Sequence, residues 1–64
     1  MIIKHINHMT LSASQITNNV TIWDYRGATV TLKEYHIDPA CDFDIAIETL
    51  LSDLENNILP DEIC

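Results

Sequence analysis

Val20-Thr21-Ile22-Trp23-Asp24-Tyr25-Arg26-Gly27-Ala28-Thr29-Val30-Thr31-Leu32 is the stretch on which the fold turns. Two alternating, β-branched runs, Val20–Trp23 and Ala28–Leu32, flank Asp24-Tyr25-Arg26-Gly27, the pattern of a β-hairpin. Asp at the first position and Gly at the fourth suit a type I turn followed by a left-handed glycine, a three-residue loop. That loop pairs Asp24 with Ala28, Trp23 with Thr29, Ile22 with Val30, Thr21 with Thr31 and Val20 with Leu32. One face of the hairpin then carries Val20, Ile22, Val30 and Leu32; the other carries Thr21, Trp23, Thr29, Thr31 and Lys33. Beyond Leu32 the same parity turns Glu34 and His36 inward, unless a bulge near Lys33-Glu34 restores Tyr35 and Ile37 to the core. The sequence leaves both open, and Asp38-Pro39 ends the strand.

Downstream, Asp42-Phe43-Asp44 opens a helix: Asp42 caps it, and Asp44 puts negative charge in the first turn, where it is favoured. Phe43, Ile47, Leu50, Leu51, Leu54 and Ile58 fall at helical spacing with Ala46 beside them, a stripe suited to covering the hairpin. Pro60 is expected to stop this helix and to leave the tail exposed, with Ile63 the one residue able to dock. Upstream, Ile2, Ile3 and Ile6 suggest a first strand. Ser12-Ala13-Ser14-Gln15 matches a capping box, so residues 13–18 read as an irregular or briefly helical connection. A second strand is the alternative there, on the weak alternation of Leu11, Ala13, Gln15 and Thr17.

The expectation is one small α+β domain over residues 1–64: a three-stranded, mostly antiparallel sheet with one C-terminal helix packed on one face. In shape, Val20 to Ile58 resembles the hairpin-then-helix half of β-grasp domains. The resemblance rests on pattern, lacks the strands such a domain has after its helix, and implies no function.

An apolar content of 47% is that of a globular chain, and 64 residues bury little surface, so stability is expected to be marginal. One glycine and two prolines leave no flexible linker. No apolar run approaches the roughly 20 residues that span a bilayer. Polar residues interrupt Met1–His8 from Lys4 onward, unlike a secretory signal, and the expected location is the cytoplasm. There Cys41 and Cys64 are expected to be free thiols, with a disulfide as the disfavoured alternative. Asn19-Val20-Thr21 matches a glycosylation acceptor but reads there as strand sequence.

Ten acids against three Lys and Arg give a net charge of −7 and a pI near 4.4. Such a body repels nucleic acid and anionic membrane and attracts basic protein surfaces. Half the acids lie between Asp42 and Glu55. At roughly 100° per residue, Asp44, Glu48 and Glu55 share one edge of the helix and Asp53 takes the opposite flank. None of the cations lies in the helix, so there is no Glu–Lys lacing. The ridge reads either as a mimic of phosphate spacing that meets a basic groove or as a solvated face. Ile45, off the apolar stripe near Thr49 and Asn56, is either the apolar centre of a charged interface or a lone surface residue. Trp23 faces away from the helix, as an interface anchor or packed on the N-terminal residues or a second copy. Its threonine neighbours argue against base stacking.

His5, His8, His36, Cys41 and Cys64 match no strong metal template, and a Cys41–His36 nucleophile pair lacks any sign of an oxyanion hole. No cofactor, metal or catalytic residue is expected. The function expected is that of a non-enzymatic acidic protein that inhibits or modulates a partner with a basic, nucleic-acid-binding surface. Asp44, Ile45, Glu48, Asp53, Glu55 and Trp23 would make the contact. In size and charge the chain is similar to small inhibitors carried by phages and mobile elements, including anti-restriction and anti-CRISPR proteins. Two alternatives stand beside it: an antitoxin or immunity-type partner of a basic toxin, and a small subunit that self-associates, for example as a homodimer.

Overall fold

The computed structural model describes residues 1–64. Four strands, β1 (Ile2–Ile6), β2 (Met9–Ser14), β3 (Asn19–Asp24) and β4 (Thr31–His36), precede one helix, α1 (Phe43–Glu55). Every neighbouring pair is antiparallel and the sheet order is β1-β2-β3-β4, a meander. The sheet therefore has four strands where three were expected, within the same α+β class. The extra strand is Met9–Ser14: Leu11 and Ala13 follow the strand alternation named as the alternative, and the connection expected over residues 13–18 narrows to the loop 15–18. Met9, Leu11 and Ala13 are buried and alternate with half-buried Thr10, Ser12 and Ser14, the period-two signature of a strand covered on one face.

Asparagines supply two of the left-handed loop positions. Ile6 pairs with Met9 across the two-residue loop Asn7-His8, and Asn7 sits at φ 56°. Ser14 pairs with Asn19 across residues 15–18, which close on Asn18 at φ 58°. Asn tolerates positive φ better than other residues with a side chain.

The central hairpin forms with a different register. Asp24 pairs with Thr31, Trp23 with Leu32, Ile22 with Lys33, Thr21 with Glu34 and Val20 with Tyr35. The loop spans residues 25–30 rather than three residues. Asp24 Oδ1 accepts from the Arg26 backbone N–H at 3.0 Å, an Asx-type turn, and Gly27 takes φ 71°. The slip relative to the tight-turn register is an odd number of residues, so β4 shows its other face. Tyr35 and Ile37 are buried without a bulge, while Val30 and Leu32 are 54% and 53% exposed.

Helix α1 begins at the expected cap. Asp42 Oδ1 accepts from the Ile45 N–H at 3.0 Å, and Phe43, Ile47, Leu50 and Leu54 are buried. It ends at Glu55, five residues before Pro60. Asn57 at φ 58° donates to Leu54 O, and Ile58 N–H reaches Asp53 O at 2.8 Å. These two bonds close a Schellman motif that satisfies the last carbonyls. Ile58 thus leaves the core stripe and stands 51% exposed. Asn7 Nδ2 donates to Leu54 O at 3.1 Å and ties this helix end to the first loop.

The core lies between the inner sheet face and α1: Met9, Leu11, Ala13, Val20, Ile22 and Tyr35 from the sheet, Ile37 just beyond it, the four helix residues, and Ile63. The tail is docked at Ile63, which is 7% exposed, and the Tyr35 hydroxyl donates to Pro60 O. Cys41 and Cys64 form a disulfide, with Cα atoms 6.5 Å apart, which corrects the free-thiol expectation. The chain reverses after Asn56, so the tail returns along α1 to its N-terminal end. That return brings together two cysteines that sequence separation alone kept apart. No helix is long and apolar enough to cross a membrane.

Candidate functional site

Charge is divided sharply between the two layers. Residues 38–64 hold eight of the ten acids and no Lys or Arg, a formal −8; residues 1–37 hold the other two acids and all three cations, a formal +1. The one close approach of a nitrogen base to a carboxylate is His8 Nε2 to Asp24 Oδ1 at 3.4 Å, within the sheet layer. The Arg26 guanidinium also points at His8 Nε2, at 2.8 Å. A guanidinium can only donate, so that ring nitrogen accepts from it. No carboxylate on the helix or tail has an ion-pair partner in its own chain.

The expected contact residues occupy three places. Asp44, Glu48 and Glu55 are exposed on one flank of α1, the ridge read from the helical period. Ile45 and Asp53 lie toward the other flank and line a groove of ≈ 490 Å³ between the helix and the returning tail. Its apolar lining is Ile45, Ala46, Ile63 and the Cys41–Cys64 bridge; Asp42, Asp53 and Glu62 supply carboxylates and Thr49 a hydroxyl. Ile45 is 62% exposed, a large apolar side chain open to solvent between these acids. Trp23 stands apart from both, on the outer sheet face.

That outer face is built by parity. His5, Thr10, Trp23 and Leu32 form one cross-strand row, and Ile3, Ser12, Thr21 and Glu34 form another. Trp23 is half-buried among these side chains; Ile3 and Leu32 are 59% and 53% exposed. The helix covers only the opposite face. The segment 10–18 meets Trp23 from the side, through its cross-strand neighbour Thr10, because it forms strand β2 and its loop.

The tail carries a local electrostatic signature. Burial raises the Tyr35 phenol above its usual pKa of 10.0, and the carboxylates of Asp61 and Asp53 add to the rise. Its hydroxyl is held as a donor to Pro60 O. Lys33 lies over the Tyr35 ring, 5.7 Å from its centroid, the one cation in contact with this edge of the core.

The three histidines are dispersed. His5 Nδ1 meets Thr10 Oγ1 at 3.0 Å, His36 Nδ1 meets Asn19 Oδ1 at 3.0 Å, and His8 sits at the loop with Arg26. They bind neighbouring strand side chains and converge on no common point.

Sequence reasoning found Ile45 and Asp53 without the wall they face. Glu62, Ile63 and the bridge were missed as site residues because the return of the tail was not foreseen. The available signal was the Asn56-Asn57 pair, which suits a left-handed helix end ahead of Pro60. The chain matches no protein-family model, no curated protein and no solved structure.

Proposed function

We propose that this protein is a non-enzymatic acidic binding module that occupies, and so inhibits or modulates, a cationic surface on another protein. Surfaces that must neutralise phosphates supply such targets most readily, so the partner class is a nucleic-acid-handling enzyme or complex. The likeness in size and charge to phage- and mobile-element inhibitors, including anti-restriction and anti-CRISPR proteins, points the same way. The carrying observation is the segregation of charge: eight unpaired acids on one layer, with every cation on the other. Self-repulsion of this kind opposes compactness and has no internal compensation. It becomes favourable when a cationic surface meets it. The ridge of Asp44, Glu48 and Glu55 steers and orients the encounter, and association is fast and salt-sensitive.

An antitoxin or immunity-type role against a basic toxin rests on the same surface. Self-association draws on a separate observation, the uncovered sheet face around Trp23, Ile3 and Leu32. Light scattering tests it: a stable homo-oligomer with shielded Trp23 fluorescence would favour that reading.

The cytoplasmic setting expected from the sequence and the Cys41–Cys64 bridge pull in opposite directions, because reducing compartments keep thiols free. Mass measurement of alkylated protein from its native cell distinguishes a bridged from a reduced chain.

Affinity purification from the native host, with mass spectrometry at low and high salt, tests the main reading. The wild type should retain one dominant partner at low salt and shed it at high salt. The D44K/E48K/E55K variant should keep its fold and lose that partner. Undiminished capture by the variant would remove the anionic ridge as the contact.

A further inference from the structure

The ridge explains attraction but not selection, since any lysine-rich surface satisfies it. The groove on the other flank of α1 has the chemistry to select. Its floor is Ile45, Ala46, Ile63 and the disulfide, and Asp42, Asp53 and Glu62 rim it. We propose that this groove is the specificity pocket for an amphipathic cationic segment of the partner: one aliphatic side chain on the floor, with flanking arginine or lysine heads on the rim. The proposal rests on the binding reading above and gives its partner a sequence signature.

Three features argue for this occupant. A volume of ≈ 490 Å³ falls in the range of small-ligand pockets, roughly 300–1,000 Å³, and suits one or two long side chains rather than a whole helix. Charge complementarity selects cations: no Lys or Arg of the chain lies among the lining residues, and none of the three rim acids has an ion-pair partner. The apolar floor selects against a purely polar cation, because Ile45 gains from contact with an aliphatic group and nothing from a hydrated ammonium. Lysine and arginine stems also lie well along such a floor while their heads reach the rim. The walls are held independently of the partner: Asp42 caps α1 through Ile45 N–H, and the bridge and buried Ile63 fix the tail. The pocket is thus formed before binding, which lowers the ordering cost.

Two peptides test this: acetyl-Ser-Arg-Leu-Arg-Ser-amide and its counterpart with serine in place of leucine, titrated at physiological salt into ¹⁵N-labelled protein. The leucine peptide should bind about fivefold tighter, the size expected for half-burying one leucine. Its shift changes should centre on Ile45, Ala46 and Ile63. I45S should bring the two affinities within about twofold, whereas D53N on the rim should weaken both peptides and keep their ratio, with the amide spectrum confirming the fold in each. D44K/E48K/E55K should weaken both peptides and keep the ratio. Equal affinities for the wild type, or shifts centred on the ridge or on Trp23, would overturn the pocket and leave the anionic reading standing. No binding of either peptide would remove both.

Discussion

The two layers of this protein solve opposite problems. The sheet balances its charge, at a formal +1, pairs its backbone across four strands and supplies half of the buried core. The helix-and-tail layer holds a formal −8 and is attached by Phe43, Ile47, Leu50 and Leu54, with Ile63 and one disulfide behind them. The sheet behaves as a scaffold and the helical layer as a charged device clamped to it. The comparison teaches where stability is needed: a self-repelling layer stays docked only if apolar contact and covalent restraint exceed the repulsion.

The sharpest way to break that comparison is to weaken the clamp. Leu50 and Leu54 are fully buried at the layer junction. L50A or L54A should cost about 2–5 kcal/mol, a large share of what a domain this small possesses. Urea denaturation followed by circular dichroism reads the loss. A shift in midpoint well under that range would mean that the helix is not seated on these side chains.

The bridge comes next. It closes a sequence separation of 23 residues around the whole helix. Loop-closure entropy for a ring of that size predicts a loss of about 3 kcal/mol in the C41S/C64S protein. The loss should be greater at low ionic strength, where the helical layer repels itself over a longer range, and smaller in 1 M salt. A salt-independent loss would separate the bridge from the electrostatics and leave it a plain cross-link.

Helix α1 was legible in the sequence because its signals are local and agree: the Asp42 cap, the acidic first turn and the apolar stripe all point to one element. The inner face of β3 and the outward placement of Trp23 were legible for the same reason. The register of β4 was not. Asp24 and Gly27 suit a tight turn, and Val30 and Leu32 make an attractive inner face, but Tyr35 and Ile37 fill the space under the helix and tail instead. That choice depends on contacts with Pro60 and α1, which no hairpin window contains. Strand β2 was obscured by Ser12–Gln15, whose capping pattern and strand alternation coincide. The groove needed the returning tail, a tertiary event signalled only by two asparagines. Of the nine residues that line it, Ile45 and Asp53 were singled out from the sequence; the wall opposite them was not.

Smaller effects separate the two ends of the helical layer. Asp42 holds the first turn of α1 through the Ile45 N–H, so D42A should cost about 1 kcal/mol and fray that end. Amide exchange should quicken at Phe43–Ile45 and stay unchanged in β2 and β3. Equal acceleration in the sheet would show that the layers unfold as one unit.

Tyr35 gives the finest probe of the junction, because it belongs to the sheet and bonds to the tail. Y35F removes one hydrogen bond to Pro60 O and should cost about 1 kcal/mol. The pH dependence is more diagnostic. Burial and then the Asp61 and Asp53 carboxylates raise the folded phenol above its ordinary value of 10.0. The folded state therefore holds its proton more tightly than the unfolded chain does. That contribution to stability is fully present below the unfolded pKa near 10 and is lost as pH rises through the higher folded value. Wild type should accordingly lose stability relative to Y35F as pH climbs past 10, and the two curves should run parallel at neutral pH. Neutralising the larger of the two carboxylate contributions with D61N should lower the phenol pKa seen by ultraviolet titration. A Tyr35 titration unmoved by D61N would show that the tail's charge does not reach the sheet.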